Sequence, residues 1–471
     1  MTPAALDPAV TQLRAPSRRV GPMSPQYRAV TIGMVALVAL SAFESLAVAT
    51  AMPTVVAALG GIGLYAMAFA GPLASGVVGM VAAGGWADRR GPARPLYAGV
   101  ALFVAGLAIA GTATGMGILV AGRIVHGLGS GMLTVALYVV IARVFPDALR
   151  ARVFAAFAAA WVLPSILGPA MAGLISEHLG WRWVFLSVPV LVLPAVLILR
   201  PALARTSEPD DAPPRRAAGS PSDRRRLLWA LGAGIGVLAL HLGGQQTGVR
   251  AVLTAAGGLA LLAGTVPRLL PPGTLRARRG LPAVIHVRGL LGAAFFGAEI
   301  YLPLLLTTQR GLSPAQAGLA LTAAAITWSM GSWLRGRRDG VWDDRTVLRV
   351  GGASIAGGIA FAALAIWPQF PVAAGLVGWG AAGLGMGLTG PTLSLLTLRL
   401  SVPAEQGANS SALQVNDSLA AALVLAVSGP VFAALVLAGT TAAAYLACFA
   451  VSGLLALGVV VLAGRVHAAA D

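Results

Sequence analysis

Four ionisable residues lie in stretches that are otherwise apolar enough to cross a membrane: Glu44, Arg123, Glu299 and Asp417. A charged side chain at the centre of a bilayer costs roughly 2.5–3.5 kcal/mol, so each group is expected to face the interior of a helix bundle or a wet cavity. An acid in such a place can ionise beside a cation or stay neutral by holding a proton. These residues therefore predict reversible proton binding inside a membrane.

Three of the four groups are predicted to lie at one depth. With a rise of 1.5 Å per residue, Glu44 lies about 10 Å, Arg123 about 9 Å and Glu299 about 12 Å from the outer ends of their helices. Asp417 lies about 12 Å from the cytoplasmic end of its own helix. We hypothesise that Glu44 faces a central cavity beside Arg123, and that a motion that changes their separation binds and releases a proton. Glu299 is a candidate for the same role or for binding a substrate's charge, and structural polar pairing is the alternative for all three acids.

The composition supports a membrane setting. Of 471 residues, 57% are hydrophobic and only 10% are charged, and the mean hydropathy is +0.83, whereas about 25% of the residues in a soluble domain are charged. About 20 apolar residues cross a bilayer as a helix, and fourteen such spans are predicted, with twelve as the alternative because spans seven and eight are short and glycine-rich. The predicted spans are 29–53, 63–87, 96–113, 116–141, 151–174, 181–200, 227–244, 249–266, 284–307, 314–334, 346–367, 371–398, 409–436 and 440–464.

The basic residues, all of them arginine, are distributed unevenly between the predicted loops. Only Arg182, Arg250 and Arg310 fall in segments on one side, and Arg123 is the only one assigned to the interior of a helix. This positive-inside pattern predicts a multi-pass protein of the cell membrane with both termini in the cytoplasm. It also explains the net charge of +17 through contact with anionic lipid, so nucleic-acid binding is not expected. Residues 1–28 lack a short apolar core and are predicted to be a tail and not a signal peptide.

An internal repeat divides the chain into two parts. GGWADRRG at 84–91 is echoed by GSWLRGRRDG at 331–340, and HGLGSGM at 126–132 by AGLGMGL at 382–388. Such self-similarity is typical of membrane transporters. The predicted organisation is a cytoplasmic tail (1–28), a six-helix bundle (29–200), a cytoplasmic linker (201–226), two extra transmembrane helices (227–266), a cytoplasmic loop (267–283), a second six-helix bundle (284–464) and a tail (465–471).

Five motifs in order resemble signatures of the major facilitator superfamily, and within it the fourteen-helix drug:proton antiporter branch. They are FESLAVATAMP, GGWADRRG, LVAGRIVHGLGSG, LPSILGPAMAG and GWRWVF. The resemblance covers residues 29–464, with Glu44 in place of aspartate in the first motif and Pro92 and Ala93 in place of a basic pair after the second. It implies an all-α integral membrane fold of two six-helix bundles related by a pseudo-two-fold axis, and proton-driven export of drugs or similar compounds.

Candidate gating residues come from two of these motifs. Asp88 ends a helix and could pair with nearby arginines in one conformation only, which would make it a latch together with Gly84, Arg89 and Gly91; an ordinary tight turn is the alternative. Gly168 and Pro169 are predicted to kink the fifth span, because proline removes a backbone donor and glycine allows close approach.

The intramembrane charges also predict the class of substrate. Three acids against one arginine give a formal interior charge of −2, which favours cationic or neutral lipophilic solutes. Aromatic residues could line an adaptable pocket; those singled out are Tyr138, Trp161, Phe295, Tyr301, Trp328 and Trp379. The predicted substrate cavity comprises Glu44, Glu299, Tyr301, Trp161, Trp328 and Asp417. His126, His241 and His286 are expected to be packing or interfacial residues.

Other classes of function are weighed against transport. The sequence has no HExxH, no Walker-type GxxxxGK and a single cysteine, Cys448, so an enzyme, an ATP-driven pump and a Cys-based metal site are not expected. No cofactor or metal is predicted; the expected partners are a small hydrophobic substrate, protons and the lipid bilayer, and a monomer is sufficient. An exporter of one endogenous metabolite or lipid remains open, as does a non-transporting membrane sensor or scaffold.

Overall fold

The computed structural model describes residues 21–205, 221–338, 341–402 and 405–467, and all regular elements in these ranges are helical. Most of the predicted linker, and residues 1–20 and 468–471 of the predicted tails, lie outside the described residues. Helix ends are called outer or inner here according to the side that the arginine distribution predicts. On this basis the chain forms a first half, a helical hairpin and a second half.

The first half contains six predicted spans, of which the fifth is divided into two helices. Its helices are α1 (Pro25–Leu59), α2 (Met67–Arg90), α3 (Ala93–Gly111), α4 (Met116–Val144), α5 (Asp147–Ala159), α6 (Val162–His178) and α7 (Arg182–Arg205). A 3-10 turn, Ile62–Leu64, joins α1 to α2 at the outer side.

The division of the fifth span does not fall where the sequence predicts a kink. Pro169 lies inside α6, whereas the helix breaks at Ala160 and Trp161. Pro164 follows this break and has no N–H to donate to the carbonyl of Ala160 four residues earlier, and proline is well accommodated only in the first turn of a helix. The break lies about two turns before Gly168 and Pro169, and a kink at these two residues stays a prediction.

The hairpin and the second half follow. The hairpin consists of α8 (Pro221–Gly243) and α9 (Gly248–Leu269). The second half consists of α10 (Leu281–Glu299), α11 (Tyr301–Thr308), α12 (Pro314–Arg337), α13 (Asp344–Ala363), α14 (Val372–Arg399), α15 (Gln406–Leu437) and α16 (Thr441–Leu462). Its first predicted span is interrupted at Ile300, where α10 gives way to α11; Pro303 has no N–H for the carbonyl of Glu299.

Within the described residues, twelve helices are long and apolar enough to cross a membrane. The predicted spans missing from these twelve are the fifth and the tenth. The helices α5 and α6 are 13 and 17 residues long, and α12 contains several hydroxyl groups and has two arginines in its last turn. The prediction of fourteen spans is thus not confirmed.

The two halves repeat one packing arrangement. In the first half α2 and α3 both pack against α4, and in the second half α12 and α13 both pack against α14. The halves meet along two seams, α6 against α12 and α2 against α15. Glycines permit the close approach within each half: a Cβ on Gly131 of α4 would lie 2.0 Å from the carbonyl oxygen of Gly76 on α2.

This contact yields a stability prediction. Gly131→Ala must push α4 away from α2, and such overpacking typically costs about 1–3 kcal/mol, so the unfolding midpoint of the detergent-solubilised protein should fall. Gly117→Ala is the matched control on α4, because no atom lies within 4 Å of its added Cβ. The unfolding midpoint of this variant should stay the same or rise. Equal midpoints for the two variants would contradict the packing described.

Candidate functional site

Glu44 and Arg123 meet in the interior of the first half. Arg123 Nη1 on α4 donates to Glu44 Oε1 on α1 in a direct ion pair. Glu44 is only 3% exposed and Arg123 only 5%. Arg123 Nε also donates to the carbonyl oxygen of Ala68 on α2 at 3.1 Å. The pair therefore joins three helices of this half.

His126 is a third member of this cluster. Its Nε2 lies 3.2 Å from Glu44 Oε2, and its Nδ1 lies 3.3 Å from Arg123 Nη1. The neutral tautomer with the proton on Nε2 suits both contacts, because Nδ1 then accepts from the guanidinium. Its ring packs against Phe103 with centroids 4.6 Å apart, as expected for a packing residue, and the two polar contacts are an addition to that expectation. The signal in the sequence was its position three residues after Arg123, on the same helix face.

The cluster can hold a proton only if its geometry changes. Removing one partner of a buried ion pair leaves an uncompensated charge, which typically costs 3–5 kcal/mol. While Arg123 contacts Glu44, the positive charge of the guanidinium compensates the negative charge of the ionised carboxylate. A displacement of α4 relative to α1 would remove this compensation and favour protonation of Glu44 or movement of charge onto His126.

Asp417 belongs to a second buried ion pair that the sequence analysis missed. Asp417 Oδ2 on α15 accepts from Arg288 Nη2 on α10 at 2.8 Å, and both side chains are mostly buried. Arg288 was assigned to the preceding loop, but α10 begins at Leu281 and carries it about two turns into the helix. The predicted interior charge of −2 is therefore wrong: Arg288 offsets Asp417, and the five groups sum to −1.

Glu299 is the remaining intramembrane acid. It is the last residue of α10 and is half-buried; within the described chain its carboxylate has neither a hydrogen bond nor an ion pair. One turn earlier, Phe295 stacks on Trp379 with ring centroids 4.7 Å apart and contacts Trp328 edge-on at 5.5 Å. Trp379 is fully buried, and its Nε1–H has no partner among the described residues. An unpaired acid thus lies one helical turn from Phe295, whose ring forms, with those of Trp328 and Trp379, what is here called the aromatic cluster.

Other residues of the predicted cavity differ widely in exposure. Tyr301 is 0% exposed, and its hydroxyl lies 3.1 Å from Ser428 Oγ, so it belongs to the packed core. Trp161 is 47% exposed at the break between α5 and α6. Tyr138 on α4 is also exposed and contacts Phe154 edge-on at 5.4 Å.

The predicted inner gate is described only in part. Gly91 ends α2 with φ of 76°, a conformation that favours glycine, and its N–H donates to the carbonyl of Ala87. Arg143 Nη2 donates to the same carbonyl at 3.3 Å, and Arg89 is exposed. A Cβ on Gly84 would meet no atom within 4 Å. The side chain of Asp88 lies outside the described residues, so its pairing stays a prediction.

The echoed motif in the second half carries a defined ion cluster. Arg335 Nη2, near the end of α12, lies 2.6 Å from Asp344 Oδ1 at the start of α13. Arg399 Nη1, at the end of α14, lies 3.5 Å from the other oxygen of Asp344. Acid and base thus join three helix ends there, and the first copy of the motif, for which pairing of Asp88 with nearby arginines is predicted, occupies the equivalent place.

The outer ends of the halves are in close contact. A Cβ on Gly173 of α6 would lie 2.3 Å from Ala315 Cα of α12, and one on Gly318 would lie 3.0 Å from the carbonyl oxygen of Pro169. Glu177 Oε1, at the outer end of α6, accepts from the N–H of Ala315 at 3.0 Å. The carboxylate thereby caps the first turn of α12 from the opposite half.

A second contact between the halves is buried beside Glu299. Tyr65 Oη, at the start of the first half's second span, donates to the carbonyl oxygen of Ile300 at 2.6 Å. Ile300 is the residue at which α10 is interrupted. Tyr65 and Glu177 were missed because each contact joins residues far apart in the chain, and no local pattern marks them.

The Tyr65 contact predicts a shift in outer closure. Tyr65→Phe removes this hydrogen bond between the halves; a net loss of about 0.5–1.5 kcal/mol corresponds to a two- to tenfold larger outward-open fraction. Distances between spin labels at Leu179 and Leu437, in a Cys448→Ala background, would report this fraction. Tyr445→Phe is the matched control, because its hydroxyl contacts Thr308 within the second half. A shift equal to the control's would refute the role of Tyr65.

The Glu177 contact predicts a dependence on external pH. Glu177 lies beyond the predicted fifth span, and the N–H of Ala315 and then the hydroxyl of Ser313 hold the pKa of its carboxyl below the usual 4.5. Because the contact favours the ionised form, its contribution to closure is present at neutral pH and is lost as external pH falls through the lowered pKa. The same label distances should therefore lengthen in acid, but not in Glu177→Gln. Glu405→Gln, which changes an exposed acid at an inner helix end, should behave as the wild type.

Similarity to known proteins agrees with this architecture. The chain is 32% identical over 172 residues to multidrug resistance protein 3 of Bacillus subtilis (strain 168), an alignment that covers 36% of this chain and 34% of that protein. It is 25% identical over 305 residues to the multidrug efflux pump SdrM of Staphylococcus aureus (strain N315), covering 63% of this chain and 66% of that pump. The chain thus spans about a third of the length of the first of these relatives and two thirds of the second.

Solved structures and a family profile complete the comparison. A POT family transporter in complex with 5-aminolevulinic acid superposes with a TM-score of 0.66 at 10% identity, over 95% of this chain and 99% of that one. A D-xylose–proton symporter superposes with a TM-score of 0.63 at 16% identity, over 92% and 97%. These likenesses show the fold. The profile of the Major Facilitator Superfamily matches residues 34–425, which is more than half of the chain. The chain therefore belongs to the Major Facilitator Superfamily.

Proposed function

We propose that this protein exports lipophilic, cationic or neutral small molecules in exchange for protons by alternating access. The observation that carries the proposal is the contrast between its two acids at the predicted outer-middle depth. Glu44 is locked in an ion pair with Arg123 and touches His126, whereas Glu299 is unpaired within the described chain and lies one helical turn from the aromatic cluster. The two acids therefore suit different tasks.

We assign the proton to Glu44. Its carboxylate is compensated only while Arg123 is in contact, so a shift of α4 against α1 within the first half, coupled to the change of access, converts a structural change into proton binding. His126 offers a second protonatable group in contact with the same carboxylate. Proton uptake from one side and release to the other would then follow the change in access.

We assign the substrate's charge to Glu299 and its apolar body to the aromatic cluster. A cation over an aromatic face gains about 0.5–2 kcal/mol, more as water is excluded, and a carboxylate without its own counter-ion attracts such a cation. The unpartnered Nε1–H of Trp379 is a further donor for a substrate with a polar acceptor. Trp328 is half-buried and is the member of the cluster most open to a solute.

The relatives support the direction of transport and the class of substrate. Two of the similar proteins carry names that describe multidrug resistance or multidrug efflux, and the match to them is modest and partial. We further propose that residues 29–200 and 284–464 form the two bundles and that Asp88 belongs to a gate at the inner side. The proposed location is the cell membrane, with both termini in the cytoplasm. The proposal requires no cofactor and no second subunit.

The proposal is tested by efflux of a lipophilic cationic dye from energised membrane vesicles. Efflux by the wild type should collapse with a protonophore, and Glu44→Gln should reduce it at least tenfold because the exchangeable proton is gone. Glu299→Gln should raise the apparent KM for the cationic dye about tenfold, equivalent to 1.4 kcal/mol, with a smaller effect on a neutral dye. Glu405→Gln, at an exposed position, should match the wild type.

Two outcomes would reject parts of the proposal. Efflux that resists both the protonophore and Glu44→Gln would mean that the buried pair is structural. Failure to move any cation would favour export of one neutral metabolite or lipid, a candidate supported by the ion pair of Asp417 with Arg288, which removes one negative charge from the interior.

A further inference from the structure

The α8–α9 hairpin lies across the seam between the two halves. A hydrophobic cluster separate from the main core is built there from four helices, with contributions from α2 of the first half, α15 of the second half and both helices of the hairpin. Its buried members are Ala74, Val77, Val78, Ala230, Ala233, Val237, Leu262, Val266, Leu270, Val415, Leu419, Ala422 and Ala426. The hairpin thus shares one packed interior with both halves.

The outer end of the hairpin is tied to the first half. Gln245, just after α8, donates through Nε2 to the carbonyl oxygen of Gly63 at 2.7 Å. Gly63 belongs to the 3-10 turn between α1 and α2. Lower on α8, a Cβ on Gly234 would lie 3.6 Å from Val78 of α2. One face of α8 therefore follows α2 from the middle of the membrane to its outer side.

The same end of the hairpin is also in contact with the second half. His241 is fully buried, and a Cβ on Gly429 of α15 would lie 2.9 Å from its Cε1. A Cβ on Gly244 would lie 2.7 Å from Pro430 Cβ. His241 Nε2 is 2.6 Å from Gln245 Nε2. Gln245, which contacts the first half, therefore also contacts His241, which is buried against the second half.

The hairpin is itself a close-packed unit. A Cβ on Gly243 of α8 would lie 3.0 Å from Ala255 Cβ of α9, and Thr254 Oγ1 donates to Gln246 Oε1 at 3.1 Å. The opposite side of α9 presents exposed apolar side chains such as Val252 and Leu253, as expected for a surface that faces lipid. Such a unit can only move as a whole.

Outward opening must separate the outer ends of α2 and α15, because these helices belong to different halves. A rigid hairpin cannot then keep both contacts. We propose that α8–α9 is an outer clamp: it binds both halves in the closed conformation and releases one of them whenever the cavity opens outward, with Gln245 and His241 as its positioning residues. The proposal rests on alternating access in a transporter of this family, and not on the substrate or on proton coupling.

The first test replaces single residues and measures the conformation of the protein, not its transport activity. Gln245→Ala should increase the outward-open fraction, measured by spin labels at Leu179 and Leu437 in the Cys448→Ala protein, by about two- to tenfold, the range for one lost hydrogen bond. Gln246→Ala is the matched control, because the described contact of Gln246 stays inside the hairpin. Equal fractions for the two variants would overturn the clamp.

The second test locks the contacts with a short bifunctional thiosulfonate reagent in Cys448→Ala protein. Cysteine pairs at positions 63 and 245, and at 244 and 430, tie the hairpin to the first and second half respectively; a pair at 243 and 255 ties it only to itself. At least one of the first two links should reduce transport about tenfold and reversibly with reductant, and the third should not. The link that blocks transport identifies the half that the hairpin releases.

The outcomes separate this proposal from the proposed function. If both inter-unit links form, as mass spectrometry would show, and transport continues, the hairpin does not release either half and the clamp is refuted. If the unlinked double-cysteine proteins fail to move the dye, the proposed function is in doubt, but the spin-label comparison of Gln245 with Gln246 still decides the clamp.

Discussion

The buried contact between Glu44 and Arg123 is the interaction on which the arrangement of the first half depends. Neither group tolerates the membrane interior alone, so α1 and α4 must stay in register for the carboxylate to meet the guanidinium. Arg123 extends the constraint to α2 through the carbonyl of Ala68, and the glycines of α4 allow α2 to approach closely enough. Apolar contacts alone would not fix this geometry, because the lipid provides similar apolar surroundings on every side.

Interrupted helices give the structure its second set of specific contacts. The interruption of α10 at Ile300 is the point at which Tyr65 donates to a backbone carbonyl of the second half, and α10 ends there at Glu299, so the acid and this hydrogen bond lie at the same break. At the α6–α12 seam the start of α12 provides free N–H groups, and Glu177 of α6 satisfies one of them. Both contacts therefore combine a helix end from the second half with a polar side chain from the first. Such contacts are specific because a backbone N–H or C=O group without a hydrogen bond costs several kcal/mol of free energy in a membrane.

The fold was largely predictable from the sequence, and the site only partly. Apolar runs of about 20 residues, the arginine asymmetry and the repeated GGWADRRG and GSWLRGRRDG motifs are local signals, and they suffice for a repeated helical membrane protein. Glu44 and Arg123 could be paired because depth follows from the helical rise. Arg288 was misplaced because it lies near the predicted start of its span, at residue 284, and was counted with the loop arginines, whereas α10 begins at Leu281 and places it about two turns inside the helix. Tyr65, Glu177 and the hairpin's contacts were not predictable, because they depend on how distant helices are placed and not on any pattern along one of them.

The ion pair of Arg288 with Asp417 has an electrical consequence. Because this pair and that of Glu44 with Arg123 are each neutral, Glu299 is the only uncompensated charge among the five intramembrane groups. One elementary charge moved through a full potential of 100 mV changes the free energy by about 2.3 kcal/mol. On the proposed assignment, a monovalent cation at Glu299 makes the five groups neutral in one direction, and a proton on Glu44 makes them neutral in the other, so both reorientation steps would be nearly insensitive to voltage. With a neutral substrate the loaded groups would instead keep a charge of −1, and the voltage dependence of turnover would distinguish a cationic substrate from a neutral one.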